Sequence, residues 1–143
     1  TEGSPRGELA PVVRIQGDKT LLLPDWPGNN RLDSLRNIVE DGRISLMFMV
    51  PGSDTVVRVN GQASLTTDPD LCASFLDNKG GPVCVLVITV QEVYIQCAKS
   101  IKRAALWQTR NTLLVPSLGQ ILNEATDLEA GGASSGGHSA HTS

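Results

Sequence analysis

Apolar and polar residues alternate most clearly in the middle of this chain. The runs Ile44 to Val50 and Thr55 to Leu65, the second alternating around Val57, Val59 and Ala63, flank the tetrapeptide Pro51-Gly52-Ser53-Asp54. Period-two alternation on both sides of a Pro-Gly turn predicts an antiparallel hairpin. Val83 to Val90 and Glu92 to Lys99 read as two further strands, with Gln91-Glu92 between them as a tight turn or a bulge. Nearer the start, Val12 to Ile15 is a short extended segment, and Thr20 to Leu23 is a strand running into a turn at Pro24.

Helical spacing takes over in three places. Leu32, Leu35, Ile38 and Val39 fall on one face, with Asn30 where the N-cap belongs, Asp33 in the first turn and Gly42 as the C′ residue. Asp68-Pro69-Asp70 opens a helix reaching about Leu76, which Lys79-Gly80-Gly81 ends. Ser117 and Gln120 form a capping box for a short helix to about Asp127. Five or six strands without βαβ alternation point to a mainly β chain with short helices, arranged as a small antiparallel barrel. Residues 1–128 read as one domain and 129–143, rich in Gly, Ser, Ala and His, as a flexible tail.

Composition narrows the function. The 143 residues are 40% hydrophobic, enough for a single core that buries roughly two-thirds of the unfolded surface. The formal charge of −3 and scattered basic residues give no electrostatic case for nucleic acid. Cys72, Cys84 and Cys97 are widely spaced and odd in number, which supports neither a disulfide framework nor a thiolate metal site and fits a reducing cytoplasm. Cys84 and Cys97 lie inside apolar strands and read as inert thiols. No apolar segment is long enough for a membrane span: the longest, Pro82 to Val90, suits a buried strand. Neither a signal peptide nor an initiator Met is present, so the first element of the native domain is expected to lie upstream.

His138 and His141 both fall in the tail, leaving no core imidazole for a Ser-His-Asp triad, a Cys-His pair or a zinc site. An enzyme built on this chain draws its chemistry from a cofactor. Two segments could hold one. Asn29, Asn30 and Arg31 stand at the start of a helix, where unpaired backbone N–H groups and the helix dipole favour an anion such as phosphate. A plain cap with a solvated arginine is the alternative. Lys99, Lys102 and Arg103 follow the last strand and lead to Trp107, offering cations and an aromatic wall. Here the alternative is a solvated basic turn with Trp107 plugging the barrel end.

Four blocks occur in order: Ser4-Pro5-Arg6-Gly7; Leu21 to Ile38, reading Leu-Leu-Leu-Pro-Asp-Trp-Pro-Gly-Asn-Asn-Arg-Leu-Asp-Ser-Leu-Arg-Asn-Ile; Arg58-Val59-Asn60-Gly61; and Cys97-x-Lys99-x-x-x-Arg103-x-x-Leu106-Trp107. Together they closely resemble the pyridoxamine 5′-phosphate oxidase-like FMN-binding split-barrel proteins, over nearly the whole chain to about Leu122. The resemblance implies a split barrel, a homodimer, and FMN in a groove between subunits. It places Arg6, Asn29, Asn30 and Arg31 toward the FMN phosphate, Arg58 and Asn60 near the isoalloxazine ring, and Lys99, Arg103 and Trp107 along the groove, from the same or the second subunit. Family members carry a helix and a first strand ahead of the Ser-Pro-Arg-Gly block, and this chain has neither. The Asn-Asn-Arg block also replaces the more basic, serine-containing motif of the true pyridoxamine phosphate oxidases, so vitamin B6 oxidation is not implied. The resemblance implies an FMN-dependent oxidoreductase acting on a small molecule. The alternatives are a flavin- or haem-binding module without turnover, and a structural dimer that has lost its cofactor; a deazaflavin would suit the same motifs.

Overall fold

The computed structural model describes residues 2–8, 11–28, 32–77, 80–108 and 116–132, with the side chains of 125 and 127–132 excepted. They fall in two compact units, 1–107 and 108–143, each considered by itself. The first unit contains β1 (Arg14–Gln16), β2 (Thr20–Asp25), α1 (Asp33–Glu40), β3 (Arg43–Met49), β4 (Val56–Thr66), α2 (Pro69–Ala73), β5 (Cys84–Gln96) and α3 (Lys99–Ala104). The strands form one antiparallel sheet in the order β1-β2-β5-β4-β3. The class is the mainly antiparallel β class that the strand pattern predicts.

The central hairpin forms where the Pro-Gly turn predicts it. Ser53 N–H donates to the Val50 carbonyl at 2.9 Å, and Gly52 takes φ of +81°, the value that a type II turn demands of its third residue. This fixes the register: Met47 lies opposite Arg58, and Ser45 opposite Asn60.

The two strands expected on either side of Gln91-Glu92 are one strand, β5, of 13 residues. Asn60 pairs with Glu92 whereas Gly61 pairs with Val90, leaving Gln91 as the extra residue of a bulge. Gly61 permits this close approach, since a Cβ there would meet the Thr89 carbonyl oxygen at 2.2 Å. β5 stops at Gln96 rather than Lys99 because Lys99 already opens α3. Cys97 is therefore exposed beyond the strand instead of buried within it.

Pro24 does not end β2, which continues to Asp25. It lies past Leu22, the last residue paired to β1, on the stretch with a single ladder neighbour, where a missing N–H is tolerated.

One face of the sheet carries the core cluster of Leu23, Ala63, Leu86 and Ile88, and Leu35 and Ile38 of α1 pack onto it. Leu32 and Val39 were expected on the same helical face but are 49% and 74% exposed. The contact stripe is too narrow to take residues at the margins of so short a helix. The cap also differs from the Asn30 expected: Leu32 occupies the N-cap, with no side-chain cap bond, and Asn29, Asn30 and Arg31 lie outside the described residues. On the opposite face Leu22 and Val85 are buried near α2, and Arg14 donates to the Ser74 hydroxyl and carbonyl, both at 2.8 Å, with its guanidinium 3.7 Å above the Phe75 ring. The Asp68 carboxylate caps α2 by accepting from Leu71 N–H at 2.8 Å. Regular helix ends at Ala73, and tighter turns carry the chain to Leu76.

In the second unit α4 (Leu118–Gly132) begins with the reciprocal capping box: Ser117 N–H donates to Gln120 Oε1 at 2.7 Å, and Gln120 N–H donates to Ser117 Oγ at 3.3 Å. The helix runs past the expected end at Asp127 to Gly132. Residues 133–143, with both histidines, lie outside the described residues.

Candidate functional site

The segment 2–8 crosses the core face of the sheet and is tied to α1 by the Ser34 hydroxyl, which donates to the Glu2 carboxylate at 3.2 Å. Its residues line two cavities. The larger, about 830 Å³, lies under α1 between the apolar side chains of Leu35, Ile38, Leu46 and Leu86 and reaches Asn60 and Gln91 at the bulge. The smaller, about 500 Å³, lies against Pro24, Trp26 and Pro27. Arg6 lines both.

Arg6 is not a free cation. Its Nη1 lies 2.6 Å from Oδ1 of Asp25, the last residue of β2, which is only 7% exposed. The other cation lining the larger cavity, Arg43, pairs with Asp41 across the Gly42 bend, its Nε at 2.9 and 2.8 Å from the two carboxylate oxygens. That pairing holds the Asp41 carboxyl below, and the Arg43 guanidinium above, its ordinary range. Near Asp25, the Cys84 thiol is pushed above the usual value of 9.0, first by burial and then by the negative charge of Asp25.

Arg58 occupies the opposite face. Strand alternation and register set three side chains abreast there, Met47, Arg58 and Tyr94, with Ser45, Asn60 and Glu92 in the next row. Arg58 Nη2 donates to Ser45 Oγ at 3.1 Å, and Nη1 has only the thioether sulfur of Met47 at 4.0 Å. Its Nε is buried without a partner. The carboxylate nearest in register, Glu92, is held by Asn60 Nδ2 at 2.7 Å instead. Apolar side chains flank this charge on one side: Met47 is 53% exposed, Met49 44% and Tyr94 41%.

α3 follows β5 at the same end of the sheet. Ala105 takes φ of +46° at its C-terminus, and the chain then brings Trp107 back to the hairpin, where its indole N–H donates to the Ser53 carbonyl at 2.7 Å. Lys99, Lys102 and Arg103 are exposed on α3.

The residues singled out from sequence thus divide. Arg58, Lys99, Arg103 and Trp107 gather at the hairpin end. Arg6 lies near the far end: Asp25 is opposite Cys84 and Arg58 opposite Tyr94, a separation along β5 on the order of 30 Å at about 3.3 Å per residue. Asn29, Asn30 and Arg31 lie outside the described residues. Asp25, Ser45, Met47 and Tyr94 were not singled out. The hairpin register implied Met47 opposite Arg58, but nothing local marked Asp25 as the partner of Arg6.

A family model described as pyridoxamine 5′-phosphate oxidase matches residues 1–97. No curated protein matches the chain at a significant level. Among solved structures it is similar to HupZ of Group A Streptococcus, in crystal structures of the tagged protein and of a tagged variant with one histidine replaced by alanine. Each is 22% identical with a TM-score of 0.48 over 59% of this chain, covering 68% and 73% of the respective HupZ chains.

Proposed function

We propose, from the premise that this chain belongs to the pyridoxamine 5′-phosphate oxidase family, that it binds FMN between two copies of itself and serves as a flavin-dependent oxidoreductase for a small molecule. The observation that carries this reading is Arg58: a guanidinium with a buried, unpartnered Nε, flanked by the half-exposed Met47, Met49 and Tyr94. A planar group with hydrogen-bond acceptors on one edge is the kind of ligand such a surface suits.

The donor set fits the two ends of FMN differently. Arg6 and Arg43 are already paired with carboxylates, whereas Lys99, Lys102 and Arg103 of α3 have no carboxylate partner among the described residues and are available to a phosphate in addition to the Asn29, Asn30 and Arg31 that the resemblance assigns to it. Trp107, fixed by Ser53, would wall the groove. Flavin, when bound, supplies hydride and electron-pair transfer through its ring. This chain supplies an apolar lining that excludes water, the Arg58 and Ser45 donors that orient an acceptor, and cations that hold an anion. On the other face at this end of the sheet, Val93 and Ile95, 59% and 73% exposed, offer apolar surface for a two-fold contact.

The experiment is the visible spectrum of the purified protein, with release and chromatographic identification of any chromophore. Released FMN that NADPH or another donor cycles supports the oxidoreductase. FMN that no reductant cycles favours the second reading, a flavin-binding module without turnover. A protein that is colourless and refuses added FMN overturns both.

A further inference from the structure

We propose that Arg58 and Ser45, covered by Met47, form a subsite for the carboxylate of an organic monoanion with an aromatic or unsaturated body. The inference goes beyond the reading above and does not rest on it: a carboxylate here would take the Arg58 N–H groups that a flavin edge would otherwise use, so the two ligands compete.

The argument starts from an unmet demand. Arg58 has five N–H donors. One is used on Ser45 and a thioether contact engages Nη1, while Nε is out of water with no acceptor. Burying a charged donor unpaired is costly, and an arriving acceptor removes that cost. Nε and Nη2 form the side-on edge of the fork, which suits the two oxygens of a carboxylate. The Ser45 hydroxyl accepts from Nη2, so its own proton is free for the same ligand.

Met47 shields Nη1, the nitrogen the carboxylate does not use, and can give way to the body of the ligand. Its sulfur lies over Nη1, it is half-exposed on an edge strand, and an unbranched thioether reorients easily.

Charge selects a monoanion. One guanidinium is unneutralised here, and Glu92 stands in the adjacent row, so a phosphate dianion meets more repulsion and fewer donors than a carboxylate does. The flanking Met49 and Tyr94 provide a surface for a flat apolar body.

The test uses benzoate as the probe and benzamide as its neutral isostere, titrated into the protein as purified at low ionic strength and followed by NMR shifts of the Arg58 Nε–H and Met47 methyl signals. Benzoate should shift both and bind at least about tenfold more tightly than benzamide. Arg58→Met, checked for a native circular dichroism spectrum, should abolish the preference. Ser45→Ala, which leaves the guanidinium in place, should weaken benzoate about threefold or more. Equal binding of the two probes, shifts confined to Arg6 or Arg43, or displacement of benzoate by equimolar inorganic phosphate would each overturn the assignment. FMN binding measured on the same samples separates the two ideas: if FMN binds and the benzoate preference is absent, the subsite fails and the flavin reading stands.

Discussion

Burial gives Asp25 one strong partner, and that asymmetry governs what substitutions there do. Arg6→Ala strands a carboxylate that is 7% exposed and should cost about 3 kcal/mol in urea unfolding, whereas Asp25→Asn, which removes the charge itself, should cost distinctly less. Equal losses would show that the pair is not the coupled unit described. Cys84, nearby, adds a pH dependence. Its folded thiol titrates above the usual 9.0 because burial opposes the thiolate, so the folded protein keeps a proton that the unfolded chain has already released. This contribution is intact below the unfolded thiol's value and is lost as pH rises through the folded one. The urea midpoint should therefore fall as pH rises past the ordinary thiol value of 9.0, with a smaller fall in Cys84→Ala. Iodoacetamide in native buffer should alkylate exposed Cys97 first and leave Cys84 until unfolding; equal rates would contradict the burial assigned to each.

Elements form here for reasons of unequal visibility. Gly61 holds β4 against the bulge in β5, and Gly61→Ala forces a methyl group into the Thr89 carbonyl, so a loss of about 3 kcal/mol and a shift of amide signals on both sides of Gln91 are expected. Asp68→Ala should cost about 1 kcal/mol through the lost α2 cap. Both predictions concern features with a local signature. Pro51-Gly52 dictated the hairpin turn, Asp68-Pro69 the start of α2, and Ser117 with Gln120 the capping box, because each acts through backbone geometry within four residues. Less legible was anything set by contact. Whether Gln91 would turn or bulge depended on how closely β4 approaches. The exposure of Leu32 and Val39 depended on the width of the α1 footprint, and the exposure of Cys97 on where β5 gives way to α3. Of the site, Arg58 was readable from the resemblance and Met47 from the register. The Arg6–Asp25 pair spans a sequence gap that no periodicity connects.

At the scale of the molecule, the groups proposed for FMN lie at the hairpin end, whereas Arg6, which the resemblance also places toward the phosphate, lies toward the other end of the same sheet. A separation along β5 on the order of 30 Å exceeds one flavin site on one copy, so the segment 2–8 would reach that site only from the second copy of the proposed dimer. Among the described residues no helix is long and apolar enough to cross a membrane. The most direct test is sedimentation velocity with added FMN, followed at one wavelength for protein and another for flavin. Flavin absorbance travelling with a dimer is the predicted result. A monomer that carries flavin would contradict the shared site, and a boundary without flavin would contradict the cofactor itself.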